Sequence, residues 1–240
     1  MQNRYTGDIG DFAKYALLRA LAPGYSLGVA WYLYPDEDHN KDGRHVDYLA
    51  NDAWRRYDPP LFDGLKGIVR SGARSVTAVE NANLLPGASF SRALLNADEP
   101  APPRRRRWRK QWFSDLVHDL AECGLVFADP DNGLCEDTRY QWGSRKFWKR
   151  LPLGEAHALA QGRPAVIYHH NSYFKGGHAA EIQHWLSLLK MDAVALYWRR
   201  ISPRTFFVLN PDETIQSRAS AFADNWAPHL EFHTIQRQRR

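Results

Sequence analysis

The chain has 240 residues, 44% of them hydrophobic and 13% aromatic, and carries a net charge of +5. This composition excludes a disordered protein and supplies enough apolar surface for the core of one α/β domain. Two cysteines exclude a disulfide scaffold, and no apolar run reaches the length of a bilayer span, so no membrane partner is expected.

Taken in chain order, the start Met1-Gln2-Asn3-Arg4-Tyr5 lacks the apolar segment of a signal peptide. Residues 11–21 repeat with helical spacing, placing Phe12, Tyr15, Ala16, Leu18 and Leu21 on one side. Asp8 or Asp11 is expected to cap this helix and Pro23-Gly24 to end it. Leu27 to Leu33 reads as the first strand, followed by a polar loop from Pro35 to His45. Residues 61–70 predict a helix, and Ser75 to Glu80 a second strand. The proline-broken segment from Asn96 to Arg107 predicts a surface loop, part of a basic insertion around residues 96–110.

Trp108 to Ala121 returns to helical spacing, and Leu125 to Ala128 is a short apolar third strand. Leu153 to Ala160 predicts a helix, Pro164 to Tyr168 a fourth strand, and His178 to Leu189 a further helix. Ala193 to Arg199 and Thr205 to Asn210 close the pattern as two strands joined through Ser202-Pro203. Strands alternating with helices predict a single domain over residues 1–240. The fold class is α/β, a doubly wound Rossmann-like sheet, mostly parallel with an antiparallel final strand.

The segment Asp129-Pro130-Asp131-Asn132 follows the third strand directly. Polar groups at the carboxyl end of such a strand sit where open α/β sheets bind ligands. Pro130 removes a donor and stops the strand, so Asp129 is expected at its partly solvated tip. The loop from Asp36 to His45, Glu80-Asn81, and His169 to Ser172 converge on the same edge if the strands are placed correctly. Glu80, ending the second strand, holds the position that takes ribose hydroxyls in nucleotide-binding folds. No Gly-rich turn follows the first strand; Trp31-Tyr32-Leu33-Tyr34-Pro35 stands there instead.

Arg104, Arg105, Arg106, Arg107, Arg109 and Lys110 put six positive charges into seven residues, and Arg237, Arg239 and Arg240 form a second run. With a pI near 9.2, the first run is the candidate nucleic-acid contact, its bland counterpart being a solvated loop. Nine tryptophans include Trp54, Trp108, Trp112, Trp148 and Trp198 beside basic residues; most are expected in the core. Cys123 and Cys135 show no zinc spacing and suit a reduced, cytoplasmic compartment.

Gly7-Asp8-Ile9-Gly10-Asp11-Phe12-Ala13-Lys14-Tyr15 and Asp129-Pro130-Asp131-Asn132 together resemble the signatures of the 23S ribosomal RNA adenine-N6 methyltransferases. In that family they read Gly-Asn-x-x-Asp-x-x-Lys-His and Asp-Pro-Pro-Tyr, and Phe207-Val208-Leu209-Asn210-Pro211 is similar to its closing strand. The resemblance implies a methyltransferase-type sheet and S-adenosylmethionine as cofactor, contacted by Lys14, Glu80 and Asp129. It also implies a base amine oriented by Asp129 and the Pro130 carbonyl, with Asn132 beside them. Asp131-Asn132 replaces Pro-Tyr and so removes the aromatic that would stack on a flipped base. Tyr15 replaces the family's His.

Two other readings stay open. One is a metal-dependent nuclease or phosphodiester hydrolase using Asp129, Asp131 and His169 or His170 around Mg²⁺ or Mn²⁺, with His178 and Glu136 as further candidate ligands. The other is a non-catalytic nucleic-acid-binding protein with a degenerate cofactor pocket. RNA or DNA is the expected partner under all three.

Overall fold

A computed structural model describes residues 1–37 and 43–236. Asp38 to Asp42 of the polar loop, and Arg237, Arg239 and Arg240, lie outside the described residues. Asp8 accepts a hydrogen bond from Gly10 N and starts helix α1 (Ile9–Leu21), whose C-cap is Ala22. The chain then enters β1 (Leu27–Ala30). Asp58 and two prolines open α2 (Pro59–Ser71).

The expected second strand is instead helix α3 (Val76–Asn81). The Ser75 side chain accepts from Ala78 N at 3.1 Å, and Val76 and Val79 bury together three residues apart. A capping serine and helical spacing outweigh the β-branched run. The strand beside β1 is β2 (Ser89–Ser91).

The basic run is likewise no loop. After a 3-10 turn at Pro102–Arg104, helix α4 (Arg105–Asp119) begins within it. Arginine is a good helix former, and Arg109, Trp112 and Leu116 supply one buried stripe. There follow β3 (Leu125–Ala128), β4 (Gly133–Cys135), α5 (Arg145–Trp148), β5 (Arg150–Pro152) and α6 (Leu153–Leu159). The last elements are β6 (Ala165–His170), α7 (Gly177–Leu189), β7 (Ala193–Trp198), β8 (Arg204–Leu209), α8 (Glu213–Asn225) and β9 (Leu230–Thr234). Neither α8 nor β9 was expected from the sequence pattern.

Seven strands form one sheet in the order β2-β1-β3-β6-β8-β7-β9, and β4 and β5 pair separately. From β2 to β6 the pairings are parallel; β8 is antiparallel to both β6 and β7, and β9 to β7. This is a Rossmann-like α/β sheet. The expected antiparallel strand is β8, inserted between two neighbours, and β9 adds a second at the edge.

Alternation along the strands builds two cores. Leu125, Phe127, Val166, Phe206 and Val208 face α1, α2 and α8; Val126, Ala128, Ala165, Ile167 and Phe207 face α4, α6 and α7. Chain order reverses between β1 and β3, so the ligand crevice of such sheets is expected above that pair.

Candidate functional site

The period of two also decides which side chains reach the carboxyl edge on the α1 side. Asp129 continues the series Leu125, Phe127 and emerges facing α1. Its Oδ2 lies 2.6 Å from Lys14 Nζ, and Asp11 Oδ1, one helical turn before Lys14, lies at the same distance. Asp11 Oδ2 also accepts from Gly7 N and from Tyr15 OH. All three charged residues are 3% exposed, so Asp129 is not the partly solvated tip expected of it.

Burial alone lowers the pKa of Lys14, but the Asp11 and Asp129 carboxylates outweigh it and hold the ammonium above the ordinary lysine range. Burial raises Asp129, and Lys14 opposes that rise. The group is therefore an ion triad, two carboxylates on one buried cation.

The triad floors a cleft of about 200 Å³ that Asp131, Asn132, Tyr168, His170 and Arg204 also border. Tyr168, His170 and Arg204 get there by the same alternation that turns Val166 and Phe206 to this face. Burial pushes the Tyr168 phenol up to about 12. Arg204 lies across the first turn of α1, 3.7 Å from Asp8 Oδ1. Gly10 makes this possible, because a Cβ there would stand 1.3 Å from the Arg204 guanidinium. Arg204 was not among the expected site residues, whereas His45, whose backbone N donates to Asp8 Oδ2, belongs to the loop expected at this edge. The glycine inside Gly7-Asp8-Ile9-Gly10-Asp11 was the available signal for Arg204.

Pro130 and Asn132 form the turn into β4. The Pro130 carbonyl accepts from Gly133 N, and Asn132 N donates to the Lys149 carbonyl. Gly133 has φ of +75°, and a Cβ there would meet His169 Cα at 2.5 Å, so the turn needs glycine.

Other expected members of the site are elsewhere. Glu80 sits on α3, accepts from Trp31 Nε1 at 2.7 Å and pairs with Arg92 at 2.5 Å. Its side chain is 2% exposed and does not border the cleft. His169 belongs to the opposite face. Its Nδ1 accepts from Leu134 N, so Nε2 carries the proton and faces Glu181 Oε1 at 3.3 Å. Glu181 also accepts from Asn171 Nδ2 and from the Ser172 backbone and hydroxyl. Burial opposes ionisation of Glu181, but these donors outweigh it and hold its pKa at about 2. His178 meets Tyr197 OH, and Glu136 pairs with Arg139. Among the described residues no three His, Cys, Asp or Glu side chains gather as a cation would require.

The crevice between β1 and β3 is filled by the first residues. The Met1 nitrogen donates to the Tyr32 and Asp129 carbonyls, and Gln2 Nε2 to Asp131 Oδ2 at 2.7 Å. The residues assigned to S-adenosylmethionine thus do not fit it. Glu80 is committed elsewhere, Lys14 is held by two carboxylates, and the cleft is smaller than the roughly 300–1,000 Å³ usual for organic ligands.

The basic run divides in two. Arg104, Arg106, Arg107 and Lys110 are exposed and Arg105 is half-buried, whereas Arg109 is fully buried. Arg109 Nη2 donates to Glu155 Oε2 at 2.6 Å, and Tyr32 OH donates to the same oxygen at 3.0 Å. Arg109 therefore anchors α4 and is removed from the expected phosphate contacts. Because Tyr32 stands two residues past the end of β1, this anchor sets the start of α4 at the carboxyl edge, on the face opposite the cleft. Arg106, Arg107 and Lys110 line a shallow groove with Pro103 and Gln111.

No protein-family model matches the chain, and no curated protein matches it.

Proposed function

We propose that this protein binds nucleic acid through the start of α4, on a Rossmann-like frame whose cofactor crevice is closed. The observation that carries this reading is the exposed cationic face of Arg104, Arg106, Arg107 and Lys110, with no acidic residue in the first turn of α4. Cations at a helix N-terminus oppose its dipole, each at a cost of about 0.3–1 kcal/mol. A face that costs folding stability and lines an open groove suits phosphates. Replacing Arg104 to Arg107 by Ser tests it. Each lost phosphate contact flattens the logarithmic salt dependence of binding by roughly 0.7 to 0.9 units, so the expected change is about two to four such steps. An unchanged slope would leave the run as a solubilising surface.

A second reading, chemistry on a base amine at Asp129, draws on the cleft that Asp129 and Asn132 border. Titration with S-adenosylmethionine separates the two. The closed crevice predicts no heat of binding at millimolar cofactor, whereas a saturable heat with the wild-type protein would favour the methyltransferase.

A further inference from the structure

The segment between Tyr140 and Trp148 lies against the start of α4, and its contacts are aromatic. Trp108 stacks on Trp148 with centroids 5.3 Å apart and planes 7° from parallel. Tyr140 sits over the buried Arg109 guanidinium and meets Trp142 edge-on at 4.8 Å. Trp148 Nε1 donates to the Trp142 carbonyl at 2.7 Å, fixing the backbone that carries the Trp142 ring. Trp142 is half-buried. Lys110, which lines the groove with Arg106 and Arg107, places its ammonium 5.3 Å from the Trp142 ring centroid.

An indole held from behind and partly open, next to three cations on a groove, combines the two elements of single-strand recognition. Phosphates neutralise the cations, and an unpaired base stacks on the ring. A duplex satisfies only the first, because its bases are already stacked on one another and present edges rather than faces. Resting on the nucleic-acid reading above, we infer that the groove of Arg106, Arg107 and Lys110 takes single-stranded nucleic acid, one base of which stacks on Trp142.

The experiment compares a fluorescent single-stranded thymidine oligonucleotide with a duplex of equal length, by anisotropy at several salt concentrations. Wild-type protein is expected to prefer the single strand. Trp142→Leu should weaken single-strand binding about tenfold, the scale of one base–aromatic stack, while leaving duplex binding and both salt slopes unchanged. Trp142→Phe, which keeps a ring against Tyr140, should restore part of the loss. Photo-crosslinking of a 5-iodouracil oligonucleotide to the wild-type protein should place the adduct on Trp142, a result independent of any variant's folding. Equal affinity for strand and duplex, an equal loss of both in Trp142→Leu, or an adduct away from residues 104–148 would overturn the inference while leaving nucleic-acid binding standing. Absence of salt-dependent binding to either probe would overturn the nucleic-acid reading itself.

Discussion

Two groups of charges face the carboxyl edge of this sheet, and they are used in opposite ways. On the α1 side, Asp11 and Asp129 are buried and share the single cation of Lys14 across two 2.6 Å contacts. On the α4 side, Arg104, Arg106, Arg107 and Lys110 are exposed, and the first turn of that helix holds no acid. Buried charges must be paired because desolvation costs several kcal/mol per ion, so they lock structure and are poorly placed to exchange partners. Exposed charges cost the fold far less than buried ones and remain available to a polyanion. The contrast places the lock at the motif that most resembles a catalytic one.

Removing Lys14 should break that contrast with the largest effect. Lys14→Met leaves Asp11 and Asp129 buried without a cation, which is expected to cost about 3–5 kcal/mol in urea denaturation at neutral pH. Adding Asp129→Asn should recover much of the loss, since the pair then no longer holds two unpaired carboxylates. A cost below about 1 kcal/mol would show a hydrated triad and an open, exchangeable cleft.

A second buried charge tests the same principle on the other face. Glu181 titrates at about 2 in the folded chain, below the roughly 4.3 of an unfolded glutamate. Its contribution to stability is therefore present above pH of about 4.3 and lost as pH falls through its folded pKa. Glu181→Gln should cost about 2–3 kcal/mol at pH 7, and the gap between variant and wild type should close on acidification toward pH of about 2. Denaturant midpoints taken across that window check it. A gap independent of pH would mean that packing, rather than charge, holds the segment at Asn171 and Ser172.

The sequence pattern carried the architecture further than the site. Apolar runs marked β1, β3, β6, β7 and β8 because fully buried strands write themselves as short continuous hydrophobic stretches. Ser75 to Glu80 misled because Val76, Thr77 and Val79 are β-branched; the i, i+3 spacing of Val76 and Val79 and the capping Ser75 at the start of the run decide for the helix. His169 and His170 are neighbours in sequence but point to opposite faces. Counting parity from Val166 separates them: His170 joins the cleft and His169 joins Glu181. Arg109 was separable from its neighbours in the same way, since it continues the stripe of Trp112 and Leu116. The closure of the β1–β3 crevice was not legible. It depends on Met1 and Gln2 meeting residues more than a hundred positions away, which no local pattern encodes.

The smallest expected effect on folding has the sharpest bearing on function. Arg106 and Arg107 stand in the first turn of α4, where an acidic side chain would complement the helix dipole. Arg106→Glu and Arg107→Glu should each leave stability unchanged or raise it by about 0.3–1 kcal/mol, read as a small upward shift in melting temperature. The same substitutions remove two cations from the groove and add two anions, so nucleic-acid affinity should fall steeply at low salt and the difference should shrink as salt rises. Stability and binding moving in opposite directions would identify the run as kept for a partner at the expense of the fold. Lower stability in both variants would instead place these arginines among the groups that hold α4 together, and the contrast between the two faces would be lost.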